Sequence, residues 1–426
     1  MIYVHIPFCN SFCVYCAFYS ELAAKFSSSA DCGGRRSFAA QGRAPSSAVR
    51  FPTAGRLYDF GKYVAKLSEE ISARAGELRR NIKESPATLY FGGGTPSLLS
   101  IYELSQILSS LDKAAGGKLS FEEFTFEANP EDILSGGEPY VRALLELGVN
   151  RFSLGVQSFD DSSLKWMNRR HSAKDAEDAF RILRSAGAEN VSLDLIFGLP
   201  KGEYANGGAG FLADVAALKA DQDAAYGKEA RKAWSETLKK ALELRPEHIS
   251  AYSLSLDEGC SLEILEKRGR FSRASDDFCG EEYEQLCALL REVGYEHYEV
   301  SNFALPGKMA RHNSAYWDRV PYIGFGAGAH SFDGKVTRSW NSDSVLGYLP
   351  DYEILTEKEA IEERIMLSLR AARGIEADFL RKNADAKIIS ALCQAGSLEL
   401  IGEEKERFRI PENRFFVSDD IISSLI

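Results

Sequence analysis

Six short strand-like runs separated by amphipathic helical stretches order the first 260 residues of this 426-residue chain. The runs are MIYVHIP, ATLYFGGGTPS, EEFTFEANPE, RFSLGVQSF, NVSLDLIFGLP and HISAYSLSLDE. Between them lie YVAKLSEEISARAGELRR, YVRALLELG and AKDAEDAFRILRSAG, whose apolar residues recur at helical spacing. Strand and helix alternating this regularly imply βα units around a parallel sheet. Six units are too few to close an eightfold barrel. The expected fold is therefore α/β, an incomplete (β/α)6 TIM-like barrel, with a doubly wound open sheet as the alternative.

Two segments break the rhythm. Residues 21–56, around KFSSSADCGGRRSFAAQGRAPSSAVR, are rich in Ser, Ala, Gly and Arg without a period and are expected as an insertion after the first strand. Residues 201–230 are expected as a second insertion in a strand-to-helix loop. The style changes near residue 300. The organisation expected is a barrel over 1–300, a connecting segment over 301–350 and a smaller C-terminal α+β domain over 351–426. The last has the helices, short ribbon and final helix of a winged-helix-like module.

Composition narrows the function classes. A net charge of −11 argues against nucleic acid and anionic membranes as partners, because phosphate binding needs a basic face. No apolar run approaches the length of a membrane span. The chain opens directly on a strand-like segment, with no basic and apolar leader ahead of it, so a cytoplasmic protein is expected. Of eight cysteines, five are scattered, and three crowd into IPFCNSFCVYC as Cys9, Cys13 and Cys16. That is one special cluster plus ordinary thiols.

Three thiolates from one loop can hold three irons of a cubane [4Fe–4S] cluster and leave the fourth open. The competing reading is a zinc site completed by His5. Zinc ligands usually come as paired C-x2-C from two loops, and no second pair exists here. Polar groups also gather at strand ends, where parallel barrels place their functional loops. Gly92, Gly93 and Gly94 follow the second run, Glu127 ends the third and Gln157 the fourth. Asp194 lies in the fifth, and Arg169 follows the fourth in WMNRR. Singly each has a plain reading: a glycine turn is a turn, and Glu127 or Asp194 could merely pair with Arg169. Together they are harder to dismiss, because unpaired buried carboxylates are costly.

C-x3-C-x2-C after a first strand resembles the radical S-adenosylmethionine (SAM) superfamily. YVHIPFCNSFCVYC, FGGGTPS, LGVQSF, MNRR and DLIFGLP narrow the resemblance to its oxygen-independent coproporphyrinogen III oxidase-like branch, over roughly residues 1–335 apart from the insertions. The resemblance implies that Cys9, Cys13 and Cys16 bind the cluster. It also implies that Tyr3, Gly93, Gly94, Thr95, Glu127, Gln157, Arg169 and Asp194 contact SAM.

Two departures redirect the functional expectation. In the oxidases the motif continues C-x-C, whereas CAF places Phe18 at that last cysteine, and only eight residues precede Cys9. Both departures resemble the HemW-type haem chaperones. HNSAYW, His312 to Trp317, also fits the H-N-x-x-Y-W pattern of that branch. Imidazole is a ready axial ligand for haem iron, which makes His312 the candidate ligand, with His330 and Cys279 as rivals. The resemblance thus implies a protein that binds haem and passes it to acceptor haemoproteins, respiratory-chain proteins among them. Three cofactors follow: a [4Fe–4S] cluster, SAM and haem. A homodimer that depends on the cluster is a further implication. The alternatives are radical oxidative decarboxylation of coproporphyrinogen III in porphyrin biosynthesis, and radical chemistry on another substrate. No catalytic residue is assigned.

Overall fold

The computed structural model describes residues 1–16, 18–23, 60–201 and 226–426. Six parallel strands run Ile2–Ile6, Thr88–Gly93, Glu123–Ala128, Arg151–Gln157, Val191–Phe197 and His248–Ser253. They lie side by side in chain order within a nine-stranded sheet. A doubly wound sheet would reverse its strand order at a switch point. The unreversed order is that of a partial barrel, as the count of βα units implied.

Why these runs become strands is visible in their parity. In RFSLGVQ, the fully buried Phe152, Leu154 and Val156 pack outward into the core beneath the helices. Arg151, Ser153, Gly155 and Gln157 alternate with them and face the barrel interior, where all four line one cavity. The third strand repeats the scheme, with Phe124 and Phe126 in the core and Glu127 inward. So does the fifth, with Leu193 and Leu195 in the core and Asp194 inward. Strand geometry with a period of two therefore builds a hydrophobic outer face and a polar lumen from the same residues. The outer face is covered by the amphipathic helices, Phe60–Ala73, Ile101–Ala115, Pro130–Glu146, Ala173–Ala186 and Lys228–Leu244 among them. Ser100 with Glu103 and Ser172 with Asp175 form capping boxes that fix where two of these helices start.

Residues beyond the sixth unit complete both edges of the sheet. Ile323–Phe325 pairs in parallel with Ile2–Ile6, so part of the expected connecting segment is a barrel-edge strand. At the other edge, YEHYEVSNFAL forms two antiparallel strands, Glu296–Glu299 and Asn302–Ala304, the latter paired with His248–Ser253. A separate three-stranded antiparallel sheet, His330–Phe332, Thr337–Asn341 and Pro350–Ile354, stands beside the first edge.

The C-terminal region contains helices Glu357–Leu369, Ala377–Asn383 and Ala386–Gln394, a short three-stranded sheet and a last helix, Ser418–Ser423. The Glu299–Ala371 bridge ties it to the barrel. Most of both expected insertions falls outside the described residues. Among the described residues, no helix is long and apolar enough to cross a membrane.

Candidate functional site

A cavity of 1170 Å³ opens at the carboxyl ends of the barrel strands and runs down into the lumen. Cys9, Cys13 and Cys16 stand on its wall, with Phe18 beside them, 71% exposed. The loop carrying the thiols is anchored by Val14, whose amide donates to the Met167 carbonyl and whose carbonyl accepts from the Leu262 amide. Side-chain donors reach two of the thiols. Thr95 Oγ1 donates to Cys9 Sγ at 3.6 Å, and Arg169 Nη1 to Cys13 Sγ at 3.3 Å. Burial pushes the Cys16 thiol up to about 12 and also raises Cys9. Thiols held in that state become ligands when a bound metal supplies the compensating charge.

These three residues fit an iron–sulfur cluster. They share one loop at the mouth of a cavity, and hydroxyl and guanidinium donors reach two of the sulfurs, as outer-shell groups do in metal sites. His5, the fourth ligand of the competing zinc reading, has both ring nitrogens engaged. Nδ1 meets the Tyr3 hydroxyl at 3.1 Å and Nε2 the Tyr19 carbonyl at 3.0 Å. Among the described residues, no three His, Cys, Asp or Glu side chains form a site for a single metal ion.

The glycine turn has a steric cause. Gly93 adopts φ +106°, and a Cβ there would collide with the His5 ring. A Cβ on Gly94 would lie 2.6 Å from the Phe8 carbonyl oxygen. Only glycine lets this strand end fold against the cysteine loop. Across the cavity Gln157 closes its strand at φ +68°, beside a register irregularity that begins at Leu154. Strained or bulged strand ends of this kind re-aim side chains at functional sites.

The carboxylates are held by neutral donors. Tyr90 OH donates to Glu127 Oε1 at 2.6 Å and the Gly93 amide to Oε2 at 3.1 Å. Burial dominates and lifts the Glu127 carboxyl to about 7. Ser153 Oγ donates to both oxygens of Asp194, at 2.9 and 3.1 Å, and burial raises that carboxyl too. Neither carboxylate makes an ion pair with Arg169 among the described residues. Arg169 Nη2 donates instead to Asn129 Oδ1 at 2.6 Å and to the Gly155 carbonyl at 2.7 Å. The plain reading, in which these groups merely neutralise one another, does not describe the structure. Burial works against the Arg169 charge, yet Cys13 and Tyr15 beside it hold the guanidinium protonated.

Of the positions expected to contact SAM, Gly93, Gly94, Thr95, Glu127, Gln157, Arg169 and Asp194 line the one cavity together with the cysteines. Tyr3 does not. It stands behind the wall, bonded to His5 and packed near Tyr90 with ring centroids 5.9 Å apart.

His312 is not brought to this site or to a surface. It lies at 0% exposure under the barrel floor, with Nδ1 2.8 Å from Thr88 Oγ1 and Nε2 3.1 Å from the Tyr316 hydroxyl. Burial drives its ring down to about 3. In this conformation it offers no free nitrogen to an iron. His330 is exposed, its ring stacked 6.1 Å from Trp340 on the outer three-stranded sheet. Cys279 is buried behind Gly198 and accepts a weak bond from Ser253. Sequence reasoning missed Tyr90, Asn129, Arg151, Ser153, Ser250 and Asn313 in the cavity wall. The alternation of polar with apolar residues along the strands was the signal for most of them.

A Radical SAM superfamily model matches residues 3–204. The chain is 32% identical over 381 residues to "Heme chaperone HemW" of Lactococcus lactis, spanning 88% of this chain and 82% of that protein. It is 30% identical to "Heme chaperone HemW" of Bacillus subtilis, spanning 88% and 84%. The solved structure of coproporphyrinogen III oxidase (HemN) from Escherichia coli, a radical SAM enzyme, superposes with a TM-score of 0.68. That likeness covers 99% of this chain and 89% of that one at 17% identity, and speaks for the fold alone. Cysteine loop, glycine turn, partial barrel and near full-length similarity agree: the chain belongs to the HemW family of the radical SAM superfamily.

Proposed function

We propose that the protein is a haem chaperone, which binds haem and hands it to acceptor haemoproteins and carries a SAM-binding [4Fe–4S] domain. The observation that carries this reading is similarity over 88% of the chain to relatives bearing that name, combined with Phe18 in place of the fourth cysteine of the oxidase pattern. In this reading Cys9, Cys13 and Cys16 hold the cluster. Gly93, Gly94 and Thr95 receive the methionyl end of SAM, and Glu127, Gln157, Arg169 and Asp194 surround the remainder. When bound, the cluster and SAM supply one-electron chemistry. The chain's own residues do the positioning: the Arg169 guanidinium spans Cys13, Asn129 and Gly155 and so ties the cluster loop to the fourth strand. We place the protein in the cytoplasm, with respiratory-chain haemoproteins as acceptors and a homodimer that depends on the cluster.

The haem ligand is a choice between two residues. His312 can meet iron only by giving up its bonds to Thr88 and Tyr316, which requires movement of the helix Arg311–Trp317. His330 needs no such movement. The function is tested by incubating the anaerobically reconstituted protein with haem, and separately with SAM plus coproporphyrinogen III. Stable haem binding without formation of protoporphyrinogen is expected. Turnover of coproporphyrinogen would return the chain to the oxidases. In the same titrations, loss of the Soret shift in His330→Ala alone assigns the iron to His330. Loss in His312→Ala, with faster amide exchange in Arg311–Trp317 when haem binds wild type, assigns it to His312.

A further inference from the structure

The cavity continues below the strand tips to Arg151, the first residue of the fourth strand and 2% exposed. From Arg151 to Gln157 the strand covers about 20 Å, so the floor and the mouth of the cavity are separate places. Arg151 Nε has no hydrogen-bond partner, and among the described residues no ion pair reaches the guanidinium. Glu127 and Asp194 meet its charge only across the lumen, and the polar groups around it hydrogen-bond elsewhere. Glu127 is bonded to Tyr90 and Gly93, and Asp194 to Ser153. His248 bonds Ser192 and Tyr298, and His312 bonds Thr88 and Tyr316. Asn313, on the helix below, lines the same cavity, and its amide makes no hydrogen bond among the described residues.

A buried guanidinium whose Nε has no partner and which makes no ion pair, its charge met only at longer range by Glu127 and Asp194, is a costly arrangement for a protein interior. Such a group persists where a ligand completes it. We propose that Arg151 and Asn313 form a floor site for the carboxylate of a small organic acid, bound deeper in the barrel than SAM. The guanidinium fork would bind either a carboxylate or a phosphate through two oxygens, and charge decides for the carboxylate. The acidic side chains Glu127 and Asp194 share the lumen and would repel a second negative charge. The cavity volume of 1170 Å³ exceeds the ~300–1,000 Å³ usual for one small ligand, which leaves room for a second molecule. The proposal goes beyond the haem reading and does not depend on it.

The test uses full-length, anaerobically reconstituted protein at saturating SAM, with butyrate as probe and butyramide as its uncharged isostere, read by saturation-transfer NMR. Butyrate should bind and butyramide should not. Binding should weaken about tenfold or more in Arg151→Gln, as loss of a charge-assisted contact implies. It should be partly retained in Arg151→Lys and weaken severalfold in Asn313→Ala. Equal signals for acid and amide, displacement of butyrate by SAM, or tighter binding of inorganic phosphate would each overturn the assignment. Should circular dichroism show Arg151→Gln to be unfolded, unchanged butyrate affinity in both Arg151→Lys and Asn313→Ala overturns it equally.

Discussion

Glu127 sits deep in the barrel with a phenol and an amide as its donors and no cation in contact. Its carboxyl rises from 4.5 to about 7 because burial disfavours the charged form. A folded-state pKa above the unfolded one stabilises the fold most below the unfolded value. That contribution is lost as pH rises towards 7, since the native state then holds more protons than the unfolded one. The full shift corresponds to about 3 kcal/mol. Glu282 and Glu299, each also raised to about 7 by burial, add slopes of the same sign. SAM-free Glu127→Gln should therefore gain thermal stability relative to wild type between pH 5 and pH 8, and a parallel pair of melting curves would remove the assigned protonation. At the same scale, Gln157→Ala and Asp194→Ala should weaken SAM binding about tenfold, the size of one or two lost polar contacts, while iron and sulfide content stay at the wild-type level. Unchanged SAM affinity in both variants would count against the placement of SAM across this cavity.

The seven-residue helix Arg311–Trp317 shows what an element does here that its sequence does not say. Its first amides, from Arg311 and His312, donate to the two carboxylate oxygens of Glu123 at 2.7 and 2.9 Å. Thr88 takes one nitrogen of the His312 ring, so the helix is bolted across the starts of the second and third strands. Glu123→Ala should leave these amides unsatisfied and cost about 1–3 kcal/mol, measured by urea unfolding, with faster hydrogen exchange at Arg311 and His312. No stability change would mean that the helix is held by packing alone. The barrel strands were legible because alternation between an apolar and a polar face is a local pattern. The cysteine loop and glycine turn were legible because the chemistry demands those residues at short spacing. The role of His312 was not, since HNSAYW looks the same whether its imidazole is free or locked to a threonine 224 residues away. Arg151 was missed for a related reason. Only the folded interior reveals that the nearby carboxylates are bonded to something else.

For the whole molecule, the decisive arrangement is the separation of its two accessible surfaces. The lumen is lined by the parallel strands, whereas His330 and Trp340 lie on the outer three-stranded sheet beside the edge strand Ile323–Phe325. That sheet is tied to the barrel by polar contacts, and Asp343, in the loop after Thr337–Asn341, lines the barrel cavity while its charge also acts on His330. Asn341 Nδ2 donates to Glu70 Oε1 at 2.9 Å and to the Gly326 carbonyl at 2.8 Å. Ligands at such separate positions couple only if one shifts a conformational equilibrium felt by the other. Haem ligated at His330 should therefore bind with an affinity that saturating SAM changes by less than about twofold, as expected for sites linked through the single charge of Asp343. Ligation at His312 predicts otherwise, because moving the floor helix also moves Asn313 in the lumen wall. In that case SAM and haem should influence each other reciprocally, each changing the other's affinity by the same factor. A haem dissociation constant that rises in proportion to SAM concentration would exclude both arrangements, since it would place the porphyrin inside the barrel. Titrating haem at several fixed SAM concentrations, with the Soret band as the readout, separates the three outcomes without any substitution in the chain.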